Sequence, residues 1–144
     1  MRIDKNLLEN EYIRVKLNDE GVIESICHKE MNREMLAENA NLFLMYEDKP
    51  NDWGAWDINH FYRDTQPEQA KLVSASIIEN SALTIALQLE FEIGNSQITQ
   101  VMSLNVGEKM IRCWNNVDWN EKDKMLRVRA VPEITTQEAT FEIQ

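Results

Sequence analysis

The sequence predicts an all-β protein, an antiparallel sandwich or barrel, and three observations carry the prediction. Apolar residues recur with period two. From Leu83 to Ile93, the residues Leu83, Ile85, Leu87, Leu89, Phe91 and Ile93 share one parity, and Thr84, Ala86, Gln88, Glu90 and Glu92 the other. A pleated strand puts the first set on one side of a sheet, whereas a helix would scatter it around its circumference. The alternating runs are also short and are parted by turn signals such as Asn18-Asp19-Glu20-Gly21, Gly94-Asn95-Ser96 and Gly107-Glu108-Lys109. Finally, helical spacing is nearly absent. Only 28–40 offers a possible helical turn, through Met31 and Met35, and it reads better as an extended loop.

The elements follow in chain order. Residues 12–17 set Ile13, Val15 and Leu17 against Arg14 and Lys16, and after a turn with Gly21 available for φ > 0 residues 22–27 complete a hairpin. Residues 41–47 form a mostly apolar strand, and 71–79 pair through Asn80-Ser81 with the alternating strand above. Strands are expected at 97–106 and 110–119, then at 125–131, where Pro132 ends the ladder because it lacks an N–H. Trp114 and Trp119 have opposite parity and so are expected on opposite faces. Residues 139–144 read as a last strand. The expectation is about nine strands in one sandwich domain spanning 1–144, truncated within that last strand and forming part of something larger.

Composition narrows the function. The chain has 144 residues, 43% hydrophobic and 28% charged, with a net charge of −10. That acidity disfavours nucleic acid as a partner. No apolar run approaches the roughly 18 residues of a membrane span, and Met1-Arg2-Ile3-Asp4 opens no signal peptide. Cys27 and Cys113 form no metal-type pair and read as small buried residues in a reducing compartment. With no N-x-S/T acceptor either, the location expected is cytoplasmic. Glycine-rich phosphate loops and G-x-S-x-G elbows are absent. Two histidines, His28 and His60, are too few for a catalytic zinc site of the usual kind, so no metal site is expected in this chain, and they support no Ser-His-Asp order.

Residues 48–64, DKPNDWGAWDINHFYRD, stand apart. Trp53, Trp56, Phe61 and Tyr62 are mixed there with Asp48, Asp52, Asp57, Asp64 and His60. Indole faces suit the apolar C–H faces of sugar rings, and neighbouring carboxylates accept hydroxyl hydrogen bonds. The competing reading is a solvated loop with turn-forming aspartates and inward-folded tryptophans.

Asp48-Lys49-Pro50 followed by Trp53-Gly54-Ala55-Trp56-Asp57 resembles the segment D-x-P-x-x-W-D-A-W-D of glycoside hydrolase family 38 α-mannosidases, in their bacterial and cytosolic-type branch. Residues 8–36, 94–104, 117–128 and 139–144 are similar to strands of that family's C-terminal β-domain in the same order. The resemblance implies a β-supersandwich, similar to galactose mutarotase, that packs on an N-terminal catalytic domain and walls its cleft. It implies a parent enzyme that hydrolyses α-mannosides with retention. The catalytic residues and the zinc ion would lie in the parent's catalytic domain, with no cofactor in these residues. Its partners would be a mannose-containing carbohydrate and that catalytic domain. Trp56 and Asp57 are expected to reach the cleft, Trp53 and Asp48 to fix the loop, and His60 and Tyr62 are weaker candidates. Gly54 replaces the family's aspartate and removes one carboxylate. A free-standing carbohydrate-binding module is the alternative, and an aldose epimerase-like enzyme, suggested by fold analogy alone, ranks last.

Overall fold

A computed structural model describes residues 1–144 except Ala55, Ala139 and 141–144. Two antiparallel sheets face each other, as the alternation requires. The larger sheet is built from β1 (Arg2–Asp4), β2 (Leu7–Glu9), β3 (Ile13–Leu17), β4 (Ile23–His28), β5 (Arg33–Glu34), β6 (Leu36–Glu47), β7 (Glu68–Gln69) and β12 (Lys124–Pro132). Its main order is β1-β2-β3-β4-β6-β12, with β5 on β4 and β7 on β6. The smaller sheet takes β8 (Lys71–Asn80), β9 (Thr84–Ile93), β10 (Ser96–Asn105) and β11 (Arg112–Asp118), in the order β11-β10-β9-β8.

The inner faces are those the sequence pattern selects. Ile85, Leu87, Leu89, Phe91 and Ile93 of β9 meet Leu8, Ile13, Val15 and Leu17 of the opposite sheet, and all are buried. Phe43 and Phe91 touch across the gap, with ring centroids 5.2 Å apart. Leu83 precedes β9 and is exposed, so the apolar row starts one alternation later than its parity suggested.

Two polar ties cross the core. Gln100 of β10 is fully buried and exchanges 2.8 Å amide bonds with Asn41 of β6. Its nitrogen also reaches Asn115 Oδ1 at 2.8 Å. Asn10, also buried, donates to the carbonyls of Asn105 and Glu108 and accepts from the backbone N–H groups of Tyr12 and Ile13. The three buried amides thus avoid the cost of an unpartnered polar group in an apolar layer.

Several elements depart from expectation. Residues 28–40 are neither helix nor loop, because β4 runs to His28, β5 pairs back on it and β6 begins at Leu36. Strands β1 and β2 carry too few residues to show a period. Cys27 is half-buried and Cys113 exposed, against the expectation of two buried thiols. Cys113 pairs with buried Met102 and so faces inward, but β11 is an edge strand of the smaller sheet and all its residues are exposed. Trp114 pairs with Val101 on the outer face and is exposed, while Trp119 lies just beyond β11 and packs on the core. The expected strand at 139–144 lies almost wholly outside the described residues.

Candidate functional site

The unusual loop hangs between β6 and β7, and its two ends are anchored differently. At its root the Asp48 N–H donates to the Asp123 carbonyl at 2.9 Å, tying it to the turn before β12. At its far end β7 pairs with Leu44 and Met45 of β6. The Ala70 N–H then donates to the Phe43 carbonyl, after which the chain crosses into the smaller sheet as β8.

Between these anchors the loop makes a tight turn and then a 3-10 turn. The Trp53 carbonyl accepts from the N–H groups of Trp56 and Asp57, at 2.7 and 3.0 Å. Trp53 itself takes a left-handed φ of 59°, uncommon for a bulky residue. The indoles of Trp53 and Trp56 are 78% and 91% exposed, and Asp57 is exposed beside them. Both tryptophans therefore remain outside the core, against the inward-folded reading. Trp53 holds the turn with its main chain, not with its ring. Asp48 sits apart at the loop's root, where a depression of about 100 Å³ is lined also by Glu47, Phe61 and Tyr62. The turn thus gathers three of the four predicted residues, Trp53, Trp56 and Asp57.

The 3-10 turn, His60–Asp64, folds back over the outer face of β6 and β12. There Tyr62 meets Tyr46 edge-to-face, with centroids 5.3 Å apart. Its phenol oxygen accepts from Arg63 Nε at 3.3 Å and from Arg127 Nη1. The hydrogen bond from Arg63, followed by the charge of Arg127, outweighs desolvation and holds the phenol below the ordinary tyrosine range. Between loop and sheet lies an open pocket of about 740 Å³. It is lined by Tyr46, Tyr62, Arg63, Gln69, Arg127 and Arg129, among others. Sequence reasoning passed over these arginines. The available signal was the parity of "LRVRAV", which sets Arg127 and Arg129 on the face opposite Leu126 and Val128.

Among the described residues, no three His, Cys, Asp or Glu side chains converge as metal ligands. Those residues thus offer a zinc ion no donor set. Nor does any helix among those residues have the length and apolarity to cross a membrane.

The loop, its two exposed indoles and the two-sheet frame can be set beside known proteins. Residues 8–144 match the glycosyl hydrolases family 38 C-terminal domain. The chain is 31% identical over 141 residues to alpha-mannosidase 2C1 of Homo sapiens, which covers 95% of this chain and 14% of the relative. It is 28% identical to alpha-mannosidase G of Dictyostelium discoideum, across 96% of this chain and 13% of that protein. Alpha-mannosidase of Saccharomyces cerevisiae is 29% identical over 86% of this chain. The chain thus spans about a seventh of the length of these curated relatives. Because the match runs through nearly every strand of both sheets and the loop between β6 and β7, the chain belongs to the family of the glycosyl hydrolase family 38 C-terminal domain.

Proposed function

We propose that this chain is a β-domain of an α-mannosidase-like glycoside hydrolase of the cytoplasm. In that role it packs on the catalytic domain and borders the substrate cleft with the Trp53–Asp57 turn. The parent hydrolyses α-mannosides with retention, and the catalytic carboxylates and zinc belong to its other domain. Trp56 meets the sugar's C–H face and Asp57 accepts its hydroxyl hydrogen bonds. Trp53 and Asp48 hold the loop's turn and root.

The observation that carries this reading is the exposure of Trp53 and Trp56 on a turn closed by two hydrogen bonds to one carbonyl. Two indoles held in water on a fixed turn are poised for an apolar partner. The similarity to alpha-mannosidases supports a mannose-containing sugar as that partner.

The test uses the parent enzyme with nitrophenyl α-mannoside. Trp56→Ala and Asp57→Asn are expected to raise KM by about tenfold with a smaller change in kcat, as for groups that bind ground and transition states alike. Unchanged kinetics in both variants would remove these residues from the cleft. The chain alone is expected to release no nitrophenol, and zinc-dependent turnover by it would overturn the proposal. The exposed tryptophans also suit a free-standing carbohydrate-binding module. Millimolar or tighter binding of mannobiose by the isolated chain, abolished by Trp56→Ala, would favour that second reading.

A further inference from the structure

We propose that the pocket between the 3-10 turn and the outer face of β6 and β12 is a binding site for a small oxyanion, a carboxylate or phosphate carried on a hydroxylated molecule. The site is separate from the Trp53–Asp57 turn and does not depend on the sugar-cleft reading.

Charge is the first argument. The chain carries 25 acidic residues and a net charge of −10, yet three arginines, Arg63, Arg127 and Arg129, line this one pocket. Arg129 is neutralised by Glu38. Among the described residues, no carboxylate lies within ion-pair distance of Arg63 or Arg127. Both guanidinium groups are instead drawn to one neutral phenol, at 5.7 and 5.1 Å from the Tyr62 ring centroid. Two like charges gathered on one neutral acceptor leave an unmet positive potential at the pocket wall.

Donor geometry is the second. Tyr62 oxygen accepts from both arginines, and its own O–H has no acceptor among the described residues. Each guanidinium carries five N–H donors, and only one from each is used on Tyr62. Such a donor-rich wall matches the planar or tetrahedral lone pairs of an oxyanion. The rest of the lining, Thr65, Gln66 and Gln69, supplies mixed donors and acceptors suited to hydroxyls. The volume, about 740 Å³, is within the range of small-molecule sites.

The test titrates the chain with sodium glycerate and with inorganic phosphate, using glycerol as the neutral control. The readouts are calorimetry and the Nε–Hε NMR signals of Arg63 and Arg127. Binding of either anion that shifts both signals, with none for glycerol, is expected, and the preferred anion identifies the source. The double variant R63Q/R127Q should lose at least about tenfold in affinity, while R63K/R127K keeps the charge and loses less. Glu38→Gln frees Arg129 and should tighten binding severalfold. No binding up to about 50 mM, or equal affinity in R63Q/R127Q with its circular dichroism unchanged, overturns the proposal. So would an acidic peptide that binds at this site about a hundredfold more tightly than glycerate, since that marks a protein partner.

Discussion

Asn10 shows how much one side chain can hold. Its two amide donors and its oxygen's two acceptor sites are all used, and they join the larger sheet to the turn between β10 and β11. Asn10→Ala is expected to cost about 3 kcal/mol in urea unfolding, because two carbonyls and two N–H groups lose their partner. Beside it, Lys29 bonds Glu9 at 2.8 Å, with Arg14 at 3.2 Å. The Lys29 hydrogen bond chiefly, aided by Arg14 and opposed by desolvation, holds the Glu9 carboxyl below the usual glutamate range. A carboxyl depressed in the folded state adds stability above its unfolded value, about 4.3, and loses it as pH falls through the folded value. Glu9→Gln should therefore lower stability by about 1 kcal/mol at pH 7, with the gap to the parent closing below about pH 4. Gly21 was legible as a turn glycine, and its φ of +73° agrees. Its close approach to Phe91, where a Cβ would lie 3.0 Å from the ring, was not, since that contact joins the turn to a strand far away in sequence.

At the scale of elements, β9 and β10 were readable because each is covered on one face by the other sheet, so burial alternates along them, interrupted in β9 by Ala86. β8 was readable as a strand but not in register. Bulges between Leu72 and Ser74 and between Ile77 and Glu79 break its pairing with β9, and leave Val73 and Ile78 exposed. Such irregularities guard an edge strand against pairing with another chain. Residues 28–40 misled because Met31 and Met35 hint at a helical turn, while the pairing that makes β5 and lengthens β6 comes from neighbours no local pattern reveals. Of the candidate loop, the aromatic and acidic character was plain, but the arginine pocket needs Arg63 and Arg127 brought together by the fold. In hydrogen exchange, the amides of β9 and β10 are expected to be the slowest, and those of edge strand β11 to exchange at least about tenfold faster. Equal protection across the smaller sheet would contradict the exposure of β11.

The molecule as a whole is covered unevenly. Val117 pairs with buried Ile98, and Val128 with buried Phe43, so both point inward. Both nevertheless remain exposed, by 40% and 56%. The isolated chain is therefore expected to bind a hydrophobic dye and to associate as concentration rises in sedimentation velocity. Val117→Thr with Val128→Thr should diminish both effects, whereas dye binding unaltered by the pair would place the apolar surface elsewhere. The amide pair of Asn41 and Gln100 has a different consequence. Layers of leucine, isoleucine and valine slide over one another with little preference for one stacking offset. A mutual amide clasp has only one. Any sheet-on-sheet offset that parts these two side chains leaves both amide oxygens without a donor in hydrocarbon, although the nitrogens keep Asn115 and the Gly21 carbonyl, at a cost of about 2 kcal/mol or more. Two residues thus single out one arrangement from many of nearly equal greasiness, and keep the β6–β7 loop at a fixed bearing to the smaller sheet.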